Sequence, residues 1–233
     1  MKIAILGYGK MGKEIERIAI SRGHEIVIKS DGNDMYDISI AHIAIDFSTP
    51  ESAYNNILNC INNQIPVISG TTGWLKKYDD IVRVCEEKNG ALIYASNFSL
   101  GVNIFFELNN HLAKMMNKLK DYKVSIEETH HIKKLDSPSG TAITLANGII
   151  ENSEFSDWEL DKVTSEKNVP IFSKRISDVP GIHKVSYTSD IDKVQINHIA
   201  KNRQGFALGA LIASEWLVNK KGVYTMKDVL NIV

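Results

Sequence analysis

Short apolar runs and amphipathic stretches alternate along the first hundred residues. Ile3 to Leu6 is a continuous apolar run. Glycines follow at once, and then Met11 to Ile20, where Ile15, Ile18 and Ala19 recur at helical spacing. His24 to Lys29 is again strand-like and ends at Asp31. Ile43 to Phe47 reads as a strand and Ser48-Thr49-Pro50-Glu51 as a helix start, since proline suits the first helical turn and a preceding hydroxyl can cap it. That helix is expected to reach Asn62. Pro66 to Ser69 and Ala91 to Ala95 are further strands, separated by the turn Gly70-Thr71-Thr72-Gly73 and a helix over Tyr78 to Lys88. Strand, turn and helix in repetition predict a parallel α/β sheet.

After residue 97 the pattern changes. Asn103 to Lys118 is a longer helical pattern, and Lys123 to Glu128 alternates like a strand. A polar stretch and loop then lead into a helix over Ala142 to Ile150. Residues 151–181 are polar and poorly periodic, with at most a turn at Asp157-Trp158-Glu159-Leu160. His183 to Thr188 and Asp192 to Ala200 read as antiparallel strands joined by a turn at Asp190-Ile191-Asp192. Phe206 to Val218 is an apolar helix. Thr225 and Asp228 have capping-box spacing before a short last helix.

Composition narrows this picture by exclusion. Charged residues make up 24% and the net charge is −1, so neither a nucleic-acid nor a membrane partner is expected. No apolar run approaches the roughly 18 residues of a membrane span, and the opening run is too short for a signal peptide. A cytoplasmic enzyme is expected. Cys60 and Cys85 lack metal-ligand spacing and read as core thiols.

The first chemistry-bearing motif is Gly7-Tyr8-Gly9-Lys10-Met11-Gly12, a G-x-G-x-x-G turn between a predicted strand and a predicted helix. Its chemistry belongs to the backbone. The first glycine makes the tight turn, the second lets a pyrophosphate approach, and the third lets the helix pack closely. The helix start adds unpaired N–H groups and partial positive charge. Asp31, at the end of the second strand, is placed to bind a ribose 2′-hydroxyl, as in NAD. Lys29 beside it could favour a 2′-phosphate instead. NADH or NADPH is therefore expected, with NADH slightly favoured. The loops Gly70-Thr71-Thr72 and Ala95-Ser96-Asn97-Phe98 follow strands and are placed to touch the nicotinamide half.

The second motif runs from Glu127 to Thr141. His130, His131, Lys133 and Lys134 fall within five residues, which suits a dianionic substrate and delivery of a proton. Crowded cations disfavour each other's protonated forms and so poise them for acid catalysis. Ser139-Gly140-Thr141 precedes a helix and offers N–H groups to a carboxylate. No further His or Cys pair shows ligand spacing, so no metal is expected.

These motifs resemble the dihydrodipicolinate reductase (4-hydroxy-tetrahydrodipicolinate reductase) family of diaminopimelate and lysine biosynthesis, nearly end to end. Besides the glycine turn, the resemblance rests on Asp46-Phe47-Ser48-Thr49-Pro50, on Gly70 to Gly73 and on Ala95 to Asn103. Its most specific part is Glu128-Thr129-His130-His131 with Lys134 to Ala142. The resemblance implies that His130 is the catalytic acid and Lys134 the proton donor. It implies that His131 contacts substrate, that Gly140 and Thr141 hold a carboxylate, and that Gly70, Thr71, Thr72 and Ala95 to Phe98 meet the cofactor. It further implies hydride transfer from NAD(P)H to a cyclic imine dicarboxylate, and a homotetramer built through the sheet of the second domain. The chain departs from many members in a glycine turn one residue shorter and in Lys133 where histidine is common.

The combined expectation is an α/β fold with two domains. Residues 1–97 form a Rossmann-like dinucleotide-binding domain, with 206–233 packing back onto it. Residues 98–205 form an α+β substrate-binding and oligomerisation domain. A reductase of other imines or aldehydes and a non-catalytic nucleotide sensor are the alternatives. The anion loop argues against a neutral substrate, and a sensor has no use for His130 and Lys134.

Overall fold

A computed structural model describes residues 1–32, 35–202 and 204–232. The chain divides into two compact units, Met1–Leu100 with Arg203–Val233, and Gly101–Asn202.

The first unit begins with strand β1 (Lys2–Leu6), helix α1 (Lys10–Ser21) and strands β2 (Glu25–Ser30) and β3 (Ile43–Asp46). Helix α2 (Pro50–Asn62), β4 (Val67–Ser69), α3 (Tyr78–Glu87) and β5 (Ala91–Tyr94) follow. Its last members come from the far end of the chain, after the second unit. Every strand pair in this sheet is parallel. Continuous apolar runs are what a sheet covered on both faces needs. Alternate residues of β1 accordingly go to opposite cores. Ile3 and Ile5 join Ile15, Ile18 and Ala19 of α1, whereas Ala4 and Leu6 join Ile57 and Cys60 of α2 and Ile81 and Cys85 of α3. Both cysteines are free and buried, and burial pushes both thiols up, as inert core thiols require.

Helix α4 (Leu100–Met116) begins three residues before the predicted start, taking Gly101 into its first turn. The second unit continues with β6 (Lys123–His130), α5 (Gly140–Glu151), β7 (Asp157–Leu160), β8 (Asn168–Arg175), β9 (Gly181–Thr188) and β10 (Lys193–Ala200). The sheet order is β10-β9-β6-β8-β7. Strands β6, β7 and β8 run parallel, β9 is antiparallel to β6, and β10 is antiparallel to β9. Two of these strands correct the sequence reading, which left 151–181 without regular structure. Strand β7 is a short edge strand. Strand β8 carries Pro170, a residue that argues against a central strand, yet Val169 and Ile171 on either side are fully buried. Helix α5 joins β6 and β8 in one core through Leu145, Ala146 and Ile149.

The chain then returns to the first unit as α6 (Gln204–Leu217), β11 (Gly222–Tyr224) and α7 (Met226–Leu230). Ala207, Ala210, Leu211 and Leu217 of α6 pack in the same core as α1. Strand β11 extends the first sheet beside β5, giving the order β11-β5-β4-β3-β1-β2. At three residues it is too short to show a periodicity. The predicted capping box of α7 forms between Thr225 and Asp228. Among the described residues, no helix is long and apolar enough to cross a membrane.

Candidate active site

The glycine turn uses each glycine differently. Gly7 has φ +98°, and a Cβ there would sit 2.1 Å from the Phe47 carbonyl oxygen. At Gly12 a Cβ would meet the Gly7 carbonyl oxygen at 2.5 Å. Both positions therefore exclude side chains through contacts within the protein. A Cβ at Gly9 would meet no atom within 4 Å. Gly9 is the N-cap of α1, and no side chain caps it there. It borders a pocket of about 450 Å³ with Lys10 and Met11. The far wall is Phe47, Ser48 and Pro50 after β3, and Gly70, Thr71 and Thr72 after β4. An uncapped helix start facing an open pocket, with the intervening position kept bare, fits a pyrophosphate.

Asp46 organises that far wall, and sequence reasoning did not single it out as a site residue. Its fully buried carboxylate accepts hydrogen bonds from Ser48 Oγ at 2.6 Å and Asn56 Nδ2 at 3.0 Å. Ser69 Oγ at 2.8 Å and Thr71 Oγ1 at 2.7 Å donate to its other oxygen. The Thr71 hydroxyl also accepts from Ser48 N–H at 2.9 Å, and the Thr71 carbonyl accepts from Trp74 Nε1 at 2.8 Å. Thr71 thus spends its side chain on holding two loops together, whereas Thr72 is exposed. Gly70 lies against Phe47, where a Cβ would approach the ring to 2.3 Å.

The other predicted cofactor residues stand outside the pocket lining. Tyr8 leans on α1, where its hydroxyl donates to Glu16. Asp31 is exposed just past β2. Ala95 N–H donates to the Ser69 carbonyl at 3.2 Å, which ties the loop after β5 to β4. Ser96 is exposed and Asn97 half-buried. Phe98 is a core residue, 1% exposed and 5.9 Å from the Phe47 ring, so only its backbone can meet a ligand.

In the second unit the strand alternation runs further than predicted. Strand β6 continues to His130, and its buried face carries Val124, Ile126, Glu128 and His130 in succession. His130 therefore belongs to a strand rather than to the polar loop. Register then assembles a cluster that the sequence keeps apart. His183 of β9 pairs with Glu128, and Arg175 of β8 pairs with His130. Glu128, fully buried, is the hub. One oxygen lies 2.8 Å from His130 Nδ1 and 3.9 Å from His183 Nε2. The other accepts from Arg175 at 3.1 Å, Ser173 Oγ at 2.7 Å and Ser139 N–H at 3.2 Å. Burial alone would raise this carboxyl's pKa. The 2.8 Å contact of His130 and the hydrogen bonds from Ser139 and Ser173 outweigh it and hold the group well below the usual carboxylate range.

The anion loop is corrected in one respect. Helix α5 begins at Gly140, two residues before the predicted start, and Ser139 is its N-cap. The Ser139 N–H is already donated to Glu128, and its hydroxyl meets both Ala142 N–H and His183 Nε2. Gly140 and Thr141 are the first two positions of the helix, and Gly140 faces open space. Lys134 Nζ contacts both oxygens of Asp136 at 2.8 Å. His131 is half-buried.

One atom each from Glu128, His130 and His183 lies within 4.8 Å of the others, close enough to hold a metal ion. Sequence spacing alone did not point to this group. Arg175 already balances the Glu128 charge, and Ser139 occupies His183 Nε2. This chemistry is that of a hydrogen-bonded network built around Glu128, with His130 in contact at 2.8 Å.

Glu128, Arg175 and His183 are the residues of this cluster that sequence reasoning missed. The period-2 alternation through Val124, Ile126 and Glu128 was the available signal for Glu128. Nothing local marked the other two.

A doubly wound parallel sheet whose first turn fits a pyrophosphate, joined to a second unit with a His, Lys and helix-start cluster, defines a nicotinamide-dependent oxidoreductase. Residues 1–98 match the family described as "Dihydrodipicolinate reductase, N-terminus", and residues 101–230 match "Dihydrodipicolinate reductase, C-terminus". The chain belongs to the dihydrodipicolinate reductase family. It is 56% identical to the 4-hydroxy-tetrahydrodipicolinate reductase of Christiangramia forsetii, covering 99% of this chain and 98% of the relative. It is 34% identical to the enzyme of that name from Thermosipho africanus, covering 99% and 98%. The fold matches a dipicolinate-bound dihydrodipicolinate reductase from Paenisporosarcina sp. TG-14 with a TM-score of 0.76 at 22% identity, over 100% of this chain and 99% of that one.

Proposed function

We propose that this chain reduces 4-hydroxy-tetrahydrodipicolinate to tetrahydrodipicolinate with NADH or NADPH, in diaminopimelate and lysine biosynthesis. The observation that carries the reading is the 56% identity over nearly the whole of both chains to a reductase of that name.

The bound nicotinamide supplies the hydride. Gly7, Gly9 and Gly12 shape the turn, and the α1 start at Lys10 and Met11 receives the pyrophosphate. Tyr8 and Asp31 lie toward the ribose, and a carboxylate there favours the free 2′-hydroxyl of NADH. Gly70, Thr71 and Thr72, with Ala95, Ser96, Asn97 and Phe98, line the nicotinamide half.

In the second unit, the Gly140 and Thr141 N–H groups hold one substrate carboxylate, and His131 contacts the same dianion. His130 and Lys134 supply the proton that balances the hydride. Glu128 orients His130 through the 2.8 Å contact at Nδ1, which fixes the ring. Asp136 restrains Lys134.

A homotetramer accompanies this reading. Its support is that, among the described residues, β10 is the edge strand of the second sheet and exposes Val194 and Ile199. Light scattering on the purified chain tests it.

The activity test is oxidation of NADH and NADPH with substrate formed in situ from pyruvate and aspartate semialdehyde by the preceding synthase. Turnover is expected with at least one cofactor. Absence of turnover with both refutes the reading.

A further inference from the structure

A charged pair beside the glycine turn, Lys29 with Glu16, has no part in the chemistry described above. Gly7 N–H and Tyr8 N–H both donate to the Ser30 carbonyl, at 2.8 and 3.0 Å, so the turn is clamped to the end of β2. Lys29, the residue before Ser30, reaches across to α1, where its Nζ lies 2.5 Å from Glu16 Oε1. The other Glu16 oxygen accepts the Tyr8 hydroxyl. Lys29 Nζ also lies 5.3 Å from the Tyr8 ring centroid, and Lys13 Nζ lies 5.9 Å from it on the same helix. Asp31 is exposed two residues beyond Lys29. Hydrogen bonds from Lys29 and Tyr8 hold Glu16 below the usual carboxylate range, and Glu16 in turn raises Lys29, so the pair is ionised together.

The end of β2 is where a Rossmann-type site receives the adenosine ribose. A free 2′-hydroxyl is served there by a carboxylate, and a 2′-phosphate by a cation. Lys29 is a cation at that place, but its charge is already matched by Glu16. We propose that Glu16 is a specificity-determining residue, which sequesters Lys29 and so withholds it from a 2′-phosphate. The inference rests on the dinucleotide reading of the first unit. A preference for NADH is then set from α1 as well as by Asp31, through a residue outside the glycine motif and outside the loop after β2.

The test is equilibrium binding of NADH and NADPH, followed by quenching of protein fluorescence and needing no turnover. Glu16→Gln keeps an acceptor for Tyr8 but frees Lys29. It is expected to tighten NADPH binding about tenfold and to change NADH binding by less than about twofold. Lys29→Gln perturbs the pair from the other side. It leaves Glu16 uncompensated and is expected to weaken NADPH binding about tenfold. In the double variant the gain from Glu16→Gln should vanish. An unchanged ratio of the two dissociation constants in both single variants overturns the proposal while leaving dinucleotide binding intact. A gain that persists in the double variant also overturns it, because Lys29 would then have no part. If wild type binds neither cofactor, the underlying reading fails and this inference fails with it.

Discussion

His183 offers a direct measurement of the buried network. The residue is 4% exposed and stands opposite Glu128 in the β6–β9 register. Burial pushes its pKa down to about 3. The neighbouring charges of His130, His198 and Lys134 add to that effect, and Glu128 opposes it. In the unfolded chain a histidine titrates near about 6.5. The unfolded chain therefore takes up the proton first as pH falls. The stability tied to a neutral His183 is complete above about pH 6.5, and it is lost progressively as pH falls toward the folded-state value. At pH 5 the unfolded state has gained RT ln(1 + 10^1.5), or about 2 kcal/mol, relative to the native state. Urea unfolding of wild type and His183→Gln at pH 7.5 and pH 5.0, at one protein concentration, isolates this quantity. Glutamine retains a polar group for the Ser139 hydroxyl. Wild type should lose about 2 kcal/mol more than the variant between the two pH values. His198 is also pushed down by burial, but it is common to both proteins and cancels in the difference. Parallel pH dependence in the two proteins would refute a neutral, buried His183.

Other perturbations address the remaining parts of the site. His130→Gln and Lys134→Ala should each lower kcat by roughly 100-fold or more if both groups transfer protons, and near-normal kcat in both variants would remove their assigned roles. Gly9→Ala should change stability by less than about 0.5 kcal/mol, because its Cβ meets no atom within 4 Å, yet weaken cofactor binding tenfold or more. Gly12→Ala forces a Cβ to 2.5 Å from the Gly7 carbonyl and should cost about 1–3 kcal/mol in chemical denaturation. Equal stability of these two glycine variants would contradict the division between ligand-facing and packing glycines. Asp46→Ala removes the shared acceptor of four buried or half-buried donors and should destabilise the first unit by about 3 kcal/mol, read from urea midpoints at constant slope.

What the sequence by itself determined is what short-range periodicity and backbone chemistry can encode. The run Ile3 to Leu6, the three glycines after it and the helical spacing of Ile15, Ile18 and Ala19 lie within seventeen residues, so strand, phosphate turn and helix were legible together. The helix start at Pro50 was legible from proline's preset φ, although Thr49 makes no side-chain cap bond there, and the Thr225–Asp228 capping box was legible because its members lie three apart. The resemblance to a reductase family likewise rested on contiguous strings, above all Glu128 to Ala142.

Tertiary structure decided everything that depends on register between distant strands. Glu128 looked like one acid in a polar run until β8 and β9 came to either side of β6 and supplied Ser173, Arg175 and His183. Strand β8 was hidden by Pro170 and β11 by its length, because neither carries a periodicity of its own. The glycine turn and Asp31 were visible in sequence, but the tie between Lys29 and Glu16 was not. It joins a strand to a helix thirteen residues earlier, and only their packing sets that 2.5 Å contact. The physical reason is common to all these cases. Local pattern fixes which face of an element is buried, whereas the charge and hydrogen-bond partners on that face are chosen by whatever element packs against it.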